Sequence, residues 1–563
     1  MLLINPASEK FGGFLSRFVP VGIPVAIGYI AAYLDKHDIR CEVLDEETID
    51  ITPNVLREKV QNLEKPYIFG ISCLTAHVNR GYQIAKMIKN EFPDSTVIFG
   101  GLHPSSLPEE ALATGYCDYV VRGEGEEIAL KLHHAIRGNG DATKLLGLSF
   151  IKEGMIIHNP EAPLIPDLNI IPAFPNHLFN HPKYDRGQLS SSRGCPYRCS
   201  YCSQRLLTGT TYRYKSADNI VNELDTLVNE YGQESIVFYD DNFCIKAKRV
   251  HEICDKIIER GLHKKVKLSV QTRADNVVVN GGDDLVRHMA EAGFTHMGFG
   301  LETGIQRLAD LSRKDETVQI HFDALDLCNK YGIDVSFFMI FGFPTETAAD
   351  RLETFHLVRK SAAVATKYNN MIPYPGTPLY SELKNSGRVV ITENWGNFNS
   401  VLAMTTSIFD KTPLPYVPDT CSEWELKRDI ILYNLKSYVN FKSLAGIFGH
   451  TKGSGWFMLP YGWWYKPREL FEMVKISIYL LTNIILTSLP LWLTEPFMCW
   501  LNPNLKKRQR VKNYDSSTYV QIDWDRMQNR NKTVLLKKAR DEFKQHGSFD
   551  IKVTDITKKQ VNY

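Results

Sequence analysis

Eleven cysteines are spread along the 563 residues, and three of them, Cys195, Cys199 and Cys202, crowd into eight positions. The run reads Ser192-Arg193-Gly194-Cys195-Pro196-Tyr197-Arg198-Cys199-Ser200-Tyr201-Cys202. Three thiolates on one loop can hold three corners of a four-iron cluster, because thiolates are the usual protein ligands of iron–sulfur centres. The missing fourth ligand is informative. An iron without a cysteine can chelate a small molecule, much as catalytic metals keep one position open. A structural zinc would instead need a fourth Cys or His; Cys244 or a distant histidine could serve, although neither stands at a usual spacing. Three cysteines gathered by chance are the third reading.

The elements around this loop suggest how it is held. Strand-like runs at Gln188–Ser192, Ser235–Asp240, Lys267–Thr272, His296–Leu301, Asp334–Ile340 and Thr366–Ile372 alternate with helical periods at Ala217–Tyr231, Lys248–Arg260, Asp284–Ala292, Val318–Tyr331 and Thr347–Lys360. Six strands with helices between them predict a barrel or partial barrel, whose chemistry belongs at strand C-termini. Polar groups stand at those ends: Asp240 and Asp241, Arg273 and Glu302. Arg273 suits a carboxylate, since a guanidinium forks onto one. The plainer readings are helix caps for the two aspartates, a surface acid for Glu302 and a solvated ion pair for Arg273.

Residues 1–140 carry a second alternating series, with strands expected at Leu2–Asn5, Cys41–Asp45, Tyr67–Ser72, Thr96–Gly100 and Tyr119–Arg122. Such alternation builds a parallel sheet covered on both faces. Gly70, Gly100, Gly101, Gly123 and Gly125 fall near or just after strand ends, where open α/β sheets place ligands and glycine lets a ligand approach the backbone. Tight turns alone would explain them equally well. The expected division is a Rossmann-like, flavodoxin-type domain over 1–145, a Pro-rich linker over 146–183, a barrel over 184–380 and a mostly helical region over 381–563. Six prolines between Asn159 and Pro182 make that linker read as extended.

Lys plus Arg total 66 and Asp plus Glu 64, a net charge of +2 that gives no general field for a polyanion, so nucleic acid is not an expected partner. Nothing at the N-terminus looks like a secretory signal, and scattered cysteines fit reduced thiols, so a cytoplasmic setting is expected. Ile476–Leu493 is an uncharged run of 18 residues, at the lower limit for spanning a bilayer. Five of the eight tryptophans lie between 456 and 500, and Lys475, Lys506, Lys507 and Arg508 flank the run. Tryptophan beside a basic edge suits a headgroup region, so peripheral membrane contact through 456–500 is one expectation. A core helix beside a substrate cavity is another.

The spacing Cys-x-x-x-Cys-x-aromatic-Cys after a first barrel strand resembles the signature of radical S-adenosylmethionine (SAM) enzymes. In that family the open iron binds the amine and carboxylate of SAM, and one electron from the cluster cleaves the sulfonium to a 5′-deoxyadenosyl radical. The resemblance implies that Tyr201 lies against the adenine, that Asp240 and Asp241 sit near the methionyl amine, and that Glu302 sits near the ribose and methionine. Pro24–Leu34, Gly100-Gly101-Leu102-His103-Pro104 and Val120–Glu126 resemble the cobalamin-binding domain of the same group, which also includes anaerobic magnesium-protoporphyrin ester cyclases and hopanoid-modifying enzymes. Gly70, Gly100, Gly101, Gly123, Gly125 and His103 are then candidate cobalamin contacts. No Asp-x-His-x-x-Gly is present, so no side chain is in place to ligate cobalt from below; His103 and His77 are the nearest histidines.

The resemblance implies a [4Fe–4S] cluster, SAM and cobalamin as cofactors, and a flavodoxin- or ferredoxin-type electron donor. It also implies radical modification of an unactivated carbon, C-methylation first and radical cyclisation or rearrangement second. The aromatic C-terminal region suggests a hydrophobic substrate such as a lipid, terpenoid or tetrapyrrole. A cobalamin- or redox-sensing protein without turnover is the reading from a different class.

Overall fold

A computed structural model describes residues 1–7, 21–392, 395–405, 410–438 and 467–508, with two short strand pieces at 550–552 and 560–562. The first sheet has seven strands: β1 (Leu2–Asn5), β2 (Glu42–Asp45), β3 (Ile68–Ser72), β4 (Thr96–Gly100), β5 (Tyr119–Val121), β6 (Leu148–Lys152) and β7 (Met155–His158). Their order is β2-β1-β3-β4-β5-β6-β7. The first five are parallel, in the order of flavodoxin-like sheets. Helices α1 (Val25–Asp35), α2 (Pro53–Val60) and α3 (Val78–Glu91) make crossovers between parallel strands, and α4 (Glu126–Ile136) follows β5. Apolar runs such as Ile68-Phe69-Gly70-Ile71 are buried on both faces, and separate cores lie on either side of the sheet.

The expected boundary at 145 falls short. Residues 148–158 form an antiparallel hairpin that extends this sheet from β5. The Pro-rich stretch is likewise no free spacer: Ile165, Leu168 and Ile171 are buried against Tyr29 of α1, so the segment is a packed strap. Burying each such side chain contributes about 1.5–3 kcal/mol, which an extended linker would forgo.

The second sheet is a six-stranded, all-parallel partial barrel: β8 (Gln188–Leu189), β9 (Ser235–Phe238), β10 (Lys267–Thr272), β11 (Phe294–Glu302), β12 (Asp334–Phe341) and β13 (Ala365–Asn370), in sequential order. Helices α5 (Ala217–Asn229), α6 (Ala247–Glu259), α7 (Gly282–Glu291), α8 (Val318–Lys330) and α9 (Ala348–Arg359) cover it. Their starts are fixed locally. Ser216 caps α5, Thr317 caps α8, and Thr347 with Asp350 forms a capping box on α9. Phe238, Phe294, Phe299 and Phe337 are fully buried in the barrel core.

Beyond the barrel, α10 (Glu423–Tyr438) packs along the edge strand β13, where Asn434 bonds both the N–H and the carbonyl of Tyr368. Arg351 of α9 is wholly buried and pairs with Asp429 of α10 at 2.7 Å. Two further helices, α11 (Pro467–Ser488) and α12 (Leu491–Leu501), rest on α10. The apolar run expected at 476–493 is thus split by Pro490 between two helices. Among the described residues, no helix is long and apolar enough to cross a membrane. The aromatic stretch at 456–465 lies outside the described residues.

Candidate functional site

The three motif cysteines leave β8 on a loop that begins with a constrained glycine. Gly194 has φ +87°, and a Cβ there would stand 2.2 Å from the Thr211 carbonyl oxygen, so a side chain would displace the loop. Its N–H donates to Asp241 at 3.3 Å, which ties the cysteine loop to the end of β9. All eleven cysteines are free thiols; the eight outside the motif are buried, and Cys195, Cys199 and Cys202 are half-exposed.

Cys244, the fourth ligand a zinc site would want, is wholly buried in the barrel core. Among the described residues, no three Cys, His, Asp or Glu side chains converge as they would around a single ion. A donor set of three thiols fits a cluster, which spreads its ligands over several irons. Burial pushes all three thiols up, Cys202 to about 12, so their thiolates need the positive charge of bound iron.

A buried charge cluster stands beside this loop. Arg273, after β10, lies over the Tyr197 ring at 3.6 Å and pairs with Asp275 at 3.1 Å. Glu302 ends β11 with φ +64°, at a register shift against β12. Gly300 leaves room for it, since a Cβ there would meet the Glu302 carboxylate at 2.3 Å. Burial pushes the Glu302 carboxyl up, partly offset by the Lys314 ammonium 3.7 Å away. Tyr201 lies close to Glu302, and its ring meets Phe343 edge-on at 6.0 Å.

Sequence reasoning missed Lys314 and Glu316, both buried on the stretch between β11 and α8. Glu316 faces Lys314 at 3.3 Å, His321 at 3.5 Å and Arg273 at 3.6 Å. Burial pushes its carboxyl up, but Lys314, Arg273 and His321 outweigh that and hold it at about 2. Four consecutive charged residues, Arg313-Lys314-Asp315-Glu316, just before the cap at Thr317 were the available signal.

The two sheets meet at a cleft. From the first come Gly70, Gly100, Gly101, Gly123 and Gly125; from the second come Ser192, Arg193, Thr208, Tyr239 and Asp241. All five glycines singled out in the sequence therefore edge one opening. A Cβ on Gly123 would meet nothing within 4 Å, and one on Gly100 only the Val121 carbonyl oxygen at 3.7 Å. At Gly70, Gly101 and Gly125 a side chain would strike Met1, the Cys73 backbone and Ile30, whereas at Gly100 and Gly123 it would grow into the opening. That suits a broad, flat ligand such as a corrin, which needs area and close backbone approach. No histidine is among the lining residues.

Two expectations need correction. His103 is not brought to the cleft: it is fully buried, its ring meets Trp395 at 4.9 Å, and Glu110 stands 3.7 Å from Nε2. Asp240 does not face the cleft either. It accepts from the backbone N–H and hydroxyl of both Ser191 and Ser192, so its lone pairs are taken up in tying β9 to the start of the cysteine loop. Asp241 does line the cleft, accepts from Thr208 at 3.0 Å, and has its carboxyl pushed up by burial.

Arg193 joins the two sheets, two residues before Cys195. It donates to Glu124 at 3.1 Å, in the loop between β5 and α4, and to Glu126, the first residue of α4, and Arg213 donates to Glu124 at 2.8 Å. Burial pushes the Glu126 carboxyl up, but Arg193 outweighs it and the net shift is downward.

Known proteins share this arrangement. The Radical SAM superfamily matches residues 189–358, and the B12 binding domain matches residues 14–132. An uncharacterized methyltransferase of Pyrococcus horikoshii is 29% identical over 409 residues, covering 71% of this chain and 86% of that one. The anaerobic magnesium-protoporphyrin IX monomethyl ester cyclase of Cereibacter sphaeroides is 28% identical, covering 69% of this chain and 64% of that one. Among solved structures, the radical SAM methyltransferase TsrM from Kitasatospora setae, with cobalamin and a [4Fe–4S] cluster bound, has a TM-score of 0.59 at 20% identity and covers 69% of this chain and 78% of that one.

Fold, cysteine loop and matched domains together define a radical SAM enzyme. Within that class the chain joins a radical SAM domain to a B12-binding domain and is similar to radical methyltransferases and ester cyclases, and the two domains imply a [4Fe–4S] cluster, SAM and cobalamin as cofactors.

Proposed function

We propose that this enzyme transfers a methyl group to an unactivated carbon of a hydrophobic small molecule, drawing reducing electrons from a flavodoxin- or ferredoxin-type donor. When bound, the cluster supplies the electron that cleaves SAM reductively, and cobalamin supplies a methyl carrier. The observation that carries this reading is that the loop bearing the half-exposed thiols borders the same cleft as the five-glycine floor.

The chain's own residues do the rest. Cys195, Cys199 and Cys202 would hold the cluster through three thiolates. Lys314 and Arg273 offer cations to a carboxylate beside the thiols, while Tyr201 and Glu302 flank the same space. Arg193 docks the glycine loop onto the cysteine loop, so that the two cofactor sites keep one separation. Gly70, Gly100, Gly101, Gly123 and Gly125 form the cobalamin floor, with Asp241 and Tyr239 on the opposite wall.

Radical ring closure is the second reading, favoured by the likeness to the ester cyclase. Anaerobic incubation with dithionite, SAM and hydroxocobalamin against lipid, terpenoid and tetrapyrrole candidates decides between them by mass spectrometry. A product heavier by one methylene unit supports methyl transfer; loss of two hydrogens supports ring closure. Cobalamin binding without any 5′-deoxyadenosine would replace both readings with a sensor. A hydrophobic substrate also fits a protein that works at the inner face of a membrane.

A further inference from the structure

The last two helices turn large apolar side chains outward. On α11 the fully buried side chains are polar, Asn483 at 1% exposed and Thr487 at 0%, with the Thr487 hydroxyl donating to the Asn483 carbonyl at 2.6 Å, and Leu486 packs beside them against the core shared with α10. Those turned outward are aliphatic: Ile478 is 60% exposed, Leu481 59% and Ile485 51%. Steps of three and four residues put these on one stripe. The next helix continues the pattern. Trp492 is 76% exposed near the start of α12 and Trp500 73% near its end, with Phe497 exposed between them. A helix of a soluble protein does the reverse, turning its apolar stripe inward.

The other side of the pair is anchored. Trp424 of α10 donates its indole N–H to Thr494 at 3.2 Å and shares a small core with Met498 and Cys499. The hairpin is therefore held to the barrel by one side, and its apolar side faces away from it. A continuous apolar surface of this kind marks an interaction site.

Length and charge identify the occupant. A helix of 22 residues is about 33 Å long, and its stripe lies along one side, which suits lying in a surface rather than crossing it. Between 476 and 505 the only Asp, Glu, Lys or Arg is Glu495, whereas Lys475 precedes this stretch and Lys506, Lys507 and Arg508 follow it. Tryptophans at both ends of α12 beside a basic edge match the boundary between acyl chains and anionic headgroups. We propose that α11 and α12 form an in-plane anchor that seats the enzyme on an anionic lipid bilayer, with the stripe from Ile478 to Trp500 in the acyl boundary. The anchor lies outside the catalytic cleft, so its test stands apart from that of the radical reading.

The experiment is flotation of the full-length holoenzyme, kept anaerobic, with vesicles of phosphatidylcholine alone or with about 30% phosphatidylglycerol. Most of the protein should float with the anionic vesicles and fall away as salt rises. Leu481→Glu with Trp492→Glu should cut the floated fraction roughly tenfold while leaving melting temperature and 5′-deoxyadenosine formation unchanged. If the glutamates lower the melting temperature, Leu481→Ser with Trp492→Ser carries the same comparison. Replacing Lys506, Lys507 and Arg508 by serine should remove only the preference for anionic vesicles. Failure to float with either vesicle, or flotation that ignores the stripe variants, overturns the proposal. So does a concentration-dependent dimer in light scattering that the stripe variants abolish, which would assign the face to a second copy of this chain.

Discussion

Both sheets present C-terminal strand ends to one cleft, yet they are finished with opposite chemistry. The first ends in glycines, with open space at Gly100 and Gly123; the second leads into thiols and buried charges, with Arg273 3.6 Å and Lys314 3.3 Å from Glu316. With the cofactors assigned as proposed, the difference follows from what each edge would hold. A corrin is broad and gains from area and backbone approach, which the open positions at Gly100 and Gly123 would allow. A cluster and an amino-acid sulfonium need ligands and counter-charges, so the opposite edge is crowded with them. Identical strand geometry thus serves two cofactors through the presence or absence of a Cβ and a charge.

Breaking the crowded edge should cost most. Cys199→Ala should lose the cluster's iron and sulfide and lower 5′-deoxyadenosine release at least about a thousandfold, while cobalamin binding to the glycine floor persists. Chemical analysis and an absorbance titration with hydroxocobalamin read the two halves separately. Next comes the clamp between the edges. Arg193→Met leaves Glu126 buried without its cation, and breaking a buried pair costs about 3–5 kcal/mol. Urea unfolding should record the loss, and product formed per SAM cleaved should fall because the two sites no longer keep register.

Gly100→Leu should act on the bare edge alone. Its backbone tolerates a side chain, and the added atoms enter the opening, so cobalamin affinity should drop roughly tenfold while reductive SAM cleavage continues. Equal loss of both activities would erase the division of labour drawn here. The smallest effect lies away from the cleft. Burial pushes the Glu346 carboxyl up to about 8, with Arg351 offsetting only part of that. Between the ordinary carboxylate value of 4.5 and about 8, the folded chain keeps a proton that the unfolded chain releases. Stability therefore falls as pH rises through that window. Glu346→Gln should flatten the dependence of melting temperature on pH and match or exceed the parent at pH 8.

Much of this was legible in the residues. The strands at Leu2–Asn5, Thr96–Gly100 and Lys267–Thr272 stand where alternation and apolar runs put them, and five scattered glycines converge because a parallel sheet delivers every strand end to one side. What stayed hidden depends on contacts far apart in sequence. Asp240 looked free because its partners, Ser191 and Ser192, lie 49 and 48 residues away. His103 follows two cleft glycines but turns into the core against Trp395, almost three hundred residues on. Glu316 meets Arg273, Lys314 and His321 only when β10, β11 and α8 come together. The inverted stripe of α11 also needs the fold, since an apolar run in sequence does not say which side faces the protein.

The account rests on three thiols sharing one cluster with an open iron. Anaerobic reconstitution followed by iron and sulfide analysis, with electron paramagnetic resonance of the reduced protein before and after SAM, tests this most directly. About four irons and four sulfides per chain are expected, with a signal that shifts when SAM binds. A single tightly held zinc without sulfide, or a cluster signal indifferent to SAM, would contradict it.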